Sequence, residues 1–471
     1  MKNITIFISV LFLLCKFSLH AQNTTQGTDF WLTFGENSDP ALGWDTTVTN
    51  IDMRIHIVNG NKATTGTIYF TKLGISVPFS IAAGQVYTYN LNNTEKQAVY
   101  NTITEISNRS IHITTNERVS VYAINRREYT ADAALILPVA VLDTNYYVIS
   151  YASIFWGYSA NDACAVIATQ NNTKVYHNNS LMATLNAGQV YHRKFEDMTG
   201  THVTADKPIA LFALNRMASI PSIANDQTLP CDHLFEQLAA VKTWGKNFFV
   251  PVSVRKNDII RIVASENGTN ITQIGGTLLS PSWLSTGWKT TLTNLNAGEW
   301  VELEVSTDSN GNGCYIQADK PVGICTYFTG CGYKHNGSPL IGCDPSQAWL
   351  PAIEQRIKSA VVVPFPLHTY SQYTHYALII TPTATKNNTT VSIGGATPVA
   401  LSGGIWYDHV SGYSFYNMPL CGVFMPGFCD TTLGYLFTNS VGGLIVMGYG
   451  LGNQESYYPK MSIENNSIDY Q

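Results

Sequence analysis

Charge is what this sequence has least of. Only 13% of its 471 residues are Asp, Glu, Lys or Arg, where a globular chain usually carries about a quarter. Thr, Asn and Ser must supply most of the polar surface. Basic residues number 27 against 32 acidic ones, for a net charge of −5. That balance argues against nucleic acid as a partner, which calls for a basic face. After the N-terminus no apolar run is long enough to span a membrane, so no transmembrane segment is expected. No Cys-x-x-Cys pair occurs, which argues against structural zinc. Gly-x-Ser-x-Gly elbows, Walker loops and His-Glu-x-x-His are also missing. Helical periodicity is nearly absent, and only 94–101 and 232–241 read as helices, both short. Disorder is excluded in turn, because 45% of the residues are hydrophobic and 11% aromatic.

The N-terminus reads as a signal peptide over residues 1–21. Lys2 gives the charged start, Ile4 to Cys15 the apolar core, and cleavage is expected between Ala21 and Gln22. Lipoprotein processing at Cys15 is disfavoured by the large Leu14 before it. Past Cys15 the cysteine count is even, which in an exported chain suggests disulfides. If Asp319-Lys320 is a two-residue turn, Cys314 falls opposite Cys325, within bonding reach. Cys331 with Cys343, and Cys421 with Cys429, each close a Gly- and Pro-containing loop. Cys164 and Cys231 either pair or remain buried thiols, and the second reading is preferred.

An internal repeat organises the rest. Ile81-Ala82-Ala83-Gly84-Gln85-Val86-Tyr87 returns as Leu185-Asn186-Ala187-Gly188-Gln189-Val190-Tyr191 and as Leu295-Asn296-Ala297-Gly298-Glu299-Trp300-Val301. It returns more loosely from Leu401 to Tyr407. Asn/Thr-rich hairpin signals precede the last three copies, at Asn171-Asn172-Thr173, Asn267-Gly268-Thr269 and Asn387-Asn388-Thr389. A charged turn follows, at Asn116-Glu117-Arg118, Asp206-Lys207-Pro208 and Asp319-Lys320-Pro321; near Asn439 its charges are gone. Phe30-Trp31-Leu32-Thr33-Phe34 looks like the first of a recurring strand that includes Tyr146–Ser150, Phe248–Val252 and Val361–Phe365. Short strands with turn residues every 8–12 positions give an all-β fold. The expected architecture is four tandem β-sandwich-like repeats of about 105 residues packed together. They cover 22–140, 141–245, 246–358 and 359–471 with the C-terminal tail. The alternative is a closed propeller-like ring of β-sheets.

Most chemical-looking clusters have a plainer reading. His233 and Glu236 lack further metal ligands, and Asp232 reads as the N-cap of a short helix. Asp308 to Gly313 resembles the start of a calcium loop, but strands flank it and acidic ligands are few. Asp206 and Asp319 serve turns, and no facing carboxylate pair suits glycoside hydrolysis. No catalytic residue, cofactor or metal is therefore expected. Loop aromatics are better candidates for binding: Phe155, Trp156, Tyr158, Trp283, Trp288 and Tyr333.

The run Asp206-Lys207-Pro208, then Cys231-Asp232-His233-Leu234-Phe235-Glu236-Gln237-Leu238, then Trp244-Gly245 and Val250-Pro251 resembles the IgGFc-binding protein N-terminal domain family. Gly27-Thr28-Asp29-Phe30-Trp31 is similar to it as well, and the resemblance spans roughly 25 to 460. It implies a disulfide from the Cys-Asp-His cysteine to one after the Asp-Lys-Pro strand. The second repeat has Asn215-Arg216-Met217 there instead, whereas the third keeps Cys331 and Cys343. The expected function is a secreted or cell-surface binding or adhesion protein, not an enzyme. Its partners would be an extracellular host glycoprotein, an immunoglobulin-like protein or a glycan, met by loops 155–162, 216–231 and 328–345. The alternatives are a carbohydrate-active enzyme or a self-associating component of an extracellular matrix.

Overall fold

In this sequence the Val-, Ile- and Tyr-rich runs change period partway along, and the backbone follows that change. The computed structural model describes residues 23–38, 47–60, 62–127, 129–155, 158–160, 162–195, 197–221, 231–279, 287–307, 312–330, 344–365, 374–420, 433–452, 455–457 and 464–465. The fold is all-β. Among the described residues one α-helix occurs, α1 (Asn93–Val99), overlapping the first predicted helix. Its N-terminus is closed by Asn92, whose side chain accepts from the Thr94 and Glu95 N–H groups, while Glu95 returns a bond to Asn92 N.

Three long strands carry the architecture: β1 (Ile111–Arg127), which a tight turn joins to β2 (Thr130–Ile136); β3 (His202–Ser219), followed by β4 (Cys231–Gln237); and β5 (Cys314–Phe328), followed by β6 (Ser346–Trp349). Each long strand changes partners partway along. The first half of β1 pairs with Gly27–Leu32 and Thr64–Phe70, and the second half with Asp52–Asn59 and β2. β3 and β5 repeat the scheme, each taking an inner strand, β4 or β6, on its second half. In the last stretch the two halves are separate strands, Tyr435–Thr438 and Ile445–Gly452, and the latter pairs with β7 (Glu455–Tyr457). The first half of β1 alternates between buried and exposed residues and the second half is wholly buried, as a strand does on passing from an outer to an enclosed sheet.

This corrects the charged turns. Asp206-Lys207-Pro208 and Asp319-Lys320-Pro321 are not hairpin tips; they lie where β3 and β5 change partners. Proline, which has no N–H to give, is tolerated at such a gap in the ladder. The Cys314–Cys325 pairing falls with the turn. The two residues stand eleven apart on one strand, roughly 36 Å when extended, far beyond disulfide reach. Cys314 is a buried free thiol whose Sγ donates to the Gly275 carbonyl at 3.2 Å. Cys164 is also a buried free thiol, so it does not pair with Cys231, which is buried at the start of β4. Cys331, Cys343, Cys421 and Cys429 lie outside the described residues. The helix expected over 232–241 is replaced by β4 and a 3-10 turn, Val241–Thr243. Tertiary pairing with β3 overrides the capping signal of Asp232.

The repeated motifs are parts of one clasp. Asp206 accepts from Lys174 N at 2.8 Å, and Asp319 accepts from Asn270 N at 2.8 Å. Lys207 and Lys320 donate to the Asn171 and Asn267 carbonyls. Those two asparagines accept in turn from Ala187 N and Ala297 N, in the glycine turns. Gly188 and Gly298 then dock on the preceding stretch of chain. A Cβ on Gly188 would stand 2.9 Å from the Trp31 ring, and one on Gly298 3.3 Å from the Tyr147 ring. Trp31 and Tyr147 are stacked on His112 and His202 at 3.9 and 4.5 Å.

Three apolar cores bind the stretches in a closed circuit. One runs from Phe30 through Tyr146 and Leu214 to Trp349. A second joins Phe248 to Leu378 and Leu451. The third packs Ile124 and Leu135 against Ala360, Phe365 and Val446, so the end of the chain returns to its beginning. Asn23–Thr24 pairs antiparallel with Glu464–Asn465. The sandwich-like sheets therefore stand in a ring.

Candidate functional site

The inner strands meet at the centre of the ring. β2 packs against β4 and β7, and β4 against β6. The residues they bring there include several that a core normally refuses. Asp132, Asp232, His233, Glu236, Ser346 and Gln347 are completely buried, and Gln237 nearly so. Such groups persist inside only when hydrogen-bonded.

Asp132 shows how this is done. Its Oδ1 accepts from Ala133 N at 2.9 Å and Ser346 Oγ at 2.8 Å; its Oδ2 accepts from Phe235 N at 3.0 Å and Gln347 N at 3.2 Å. One carboxyl thus joins β2, β4 and β6. Burial pushes it up to about 7 despite those four bonds. Asp232 Oδ1 accepts from Ala131 N at 2.7 Å and His233 N at 2.6 Å. Burial and the neighbouring Asp344 and Asp132 carboxyls hold Asp232 well above the usual range. His233 is pushed down to about 3 by burial. It is neutral, with Nε2 placed to accept from the Asn125 amide at 3.0 Å. Gln237 Oε1 accepts from Leu137 N at 2.8 Å, and Gln347 Nε2 donates to the Ile149 carbonyl at 2.8 Å.

A second polar seam lies between the second and third stretches. Arg261 is held between the Tyr151 and Trp300 rings, 3.7 and 4.3 Å from their centres, and pairs with Glu302 at 2.8 Å. It also donates to the Ser150 carbonyl and Thr199 Oγ1. Asp162, bonded by Ser150 Oγ and Met198 N, is pushed up to about 7, chiefly by burial. These carboxyls are sealed inside the ring and do not line an open cleft.

The expected binding aromatics fare differently. Trp288 is half-buried and stacked on Trp300 at 5.3 Å, so it belongs to that seam. Phe155 and Tyr158 are cross-strand neighbours in a short hairpin. Their side chains, and Trp156, Trp283 and Tyr333, lie outside the described residues. β3 ends at Ser219 and β4 begins at Cys231, while β5 ends at Phe328 and β6 begins at Ser346; residues 222–230 and 331–343 lie outside the described residues. Beside the hub, Glu36 pairs with Lys194 at 2.6 Å and approaches Arg216 at 3.9 Å, on the rim of a small pocket floored by Ala163 and Leu214.

Asp232, His233 and Glu236 read from the sequence as a capped short helix, and their place in a buried hub was not expected. A further signal was Asp132 standing alone in the small apolar run Ala131 to Ala134, an acid with no turn to serve.

Comparison with known proteins falls on this same region. A family model described as IgGFc binding protein matches residues 132–450, more than half of the chain. A human protein named IgGFc-binding protein is 27% identical over 282 residues. That match covers 56% of this chain and 5% of the human protein, so the chain spans only a small part of that relative's length.

Proposed function

The chain belongs to the IgGFc-binding protein family, and on that premise we propose that it is a secreted or surface-exposed binding and adhesion protein. Its partner is an immunoglobulin-like chain or another extracellular glycoprotein. The contacts come from the segments 155–162, 220–230 and 329–345, the expected binding loops without the strand residues at the ends of the last two. One observation carries this assignment of the face. The most family-like string, Cys231 to Leu238, is buried in the ring centre and cannot touch a partner. It builds the scaffold, and recognition is left to the segments that β3, β4, β5 and β6 anchor. Loops on a rigid frame are the usual carriers of contacts.

Biolayer interferometry of the chain from Gln22 onward, over immobilised IgG Fc and enzymatically deglycosylated Fc, tests the reading. Saturable binding to both surfaces supports a protein–protein contact. Binding lost on deglycosylation redirects recognition to the glycan. No binding to either removes antibody capture and leaves other glycoproteins to be screened.

A further inference from the structure

Asp132 and Asp232 are both wholly buried at the ring centre, but they are solvated differently. Asp132 receives four hydrogen bonds, two on each oxygen, so it is built to carry negative charge. Asp232 receives two, both on Oδ1. Its Oδ2 has no hydrogen-bond partner among the described residues. A bare anionic oxygen in a water-free interior is expensive, whereas a protonated one is not.

The surrounding charges point the same way. Asp232 faces the Asp132 and Asp344 carboxyls. On β4 itself, His233 is neutral and turned to Asn125, and Glu236 is a further buried acid. From β1, Arg127 donates to the Thr47 carbonyl at 2.9 Å, and Arg126 stands opposite Asp52 in the register. Arg255 faces Asp344 and Asp258.

We propose that the hub is a proton-operated lock: Asp232 holds a proton on Oδ2 in the closed ring, Asp132, with four donors, is the first of the two to take charge, and opening the ring releases the Asp232 proton to water. In the opening step the Asp232 O–H bond breaks, the proton passes to solvent, and both carboxylates become hydrated. The ring is therefore held more tightly in acidic than in alkaline surroundings. The sign follows from linkage. Asp232 titrates higher in the folded than in the unfolded chain, so its contribution is full at the acid end and is lost as pH rises through the folded value.

Urea denaturation of the full chain and of Asp232→Asn, from about pH 5.5 to about 8.5, is the test. Asparagine keeps the shape of the protonated acid and cannot ionise. The ratio of unfolding constants, wild type over variant, is expected to rise with pH by up to about tenfold per unit. Buried histidines impose their own slope on both proteins and cancel in that ratio. Asp132→Asn is expected to be weaker at every pH, because its amide N–H₂ would face N–H and O–H donors. Should that variant fail to fold, Asp344→Asn serves instead; removing the neighbouring charge makes the rise level off at a lower pH. A ratio that is flat or falling across the range overturns the lock.

Discussion

Asp132 and Asp232 lie on adjacent central strands, and each accepts a backbone N–H from the other's strand. Phe235 N reaches Asp132 at 3.0 Å, and Ala131 N reaches Asp232 at 2.7 Å. The exchange ties β2 to β4 across the seam between two successive stretches of chain. Neither bond is part of a regular ladder, so a side chain does here what backbone carbonyls do elsewhere. Five consequences can be measured.

Asp132→Ala removes the acceptor for four donors on three strands. Each donor left buried and unpaired costs about 1–3 kcal/mol, and partial repacking recovers some of that. We expect a loss of about 4 kcal/mol or more, read as a lower urea midpoint.

Arg261 and Glu302 form a buried pair, 5% and 7% exposed. Arg261→Met alone strands the Glu302 charge and should cost about 3–5 kcal/mol. Arg261→Met with Glu302→Leu should recover most of that loss. A double-mutant cycle on denaturation midpoints checks the coupling, and additive losses would contradict it.

Gly188 adopts a φ of +79° and Gly84 one of +73°. An added Cβ meets Trp31 at the first position and nothing within 4 Å at the second. Gly84→Ala should therefore cost only the left-handed backbone penalty, about 1–2 kcal/mol. Gly188→Ala should cost clearly more, because the turn must also back away from Trp31. Thermal melts of the two variants make the comparison.

His56 is buried against the Phe365 ring, and neither of its ring nitrogens has a hydrogen-bond partner among the described residues. Burial, more than the nearby Arg54, pushes it down to about 3. Its folded value is depressed, so wild-type stability is present above about pH 6.5 and is lost as pH falls toward the folded value. His56→Phe should be at least as stable at neutral pH and gain up to about 1.4 kcal/mol on wild type per pH unit below 6.5. Melting temperatures at neutral and mildly acidic pH decide it.

Trp288→Ala should lower stability by about 1–2 kcal/mol through loss of stacking on Trp300 and leave partner binding unchanged. Trp156→Ala should do the reverse. Interferometry and thermal melts on the same two proteins separate the roles.

Much of the fold could be read from the residues. Val-, Ile- and Tyr-rich runs between turns gave the strands, and the helix expected over 94–101 overlaps α1, which Asn92 and Glu95 cap locally. The recurrence of glycine turn, asparagine hairpin and Asp-Lys pair was also visible. Its meaning was not. Asp319-Lys320-Pro321 carries turn chemistry, and only pairing with strands far along the chain holds it extended and separates Cys314 from Cys325. Asp232 likewise looked like a helix cap until β3 claimed it as a strand residue.

The sequence alone determined the class of fold, the positions of the glycine turns and the scarcity of surface charge, because these follow from local propensity and composition. Tertiary structure decided that the sheets close into a ring and that its centre is polar. Those outcomes depend on contacts between Asp132, Phe235 and Ser346, residues about a hundred or more positions apart. A buried acid and a surface acid are the same letter, and only the packed neighbours distinguish them.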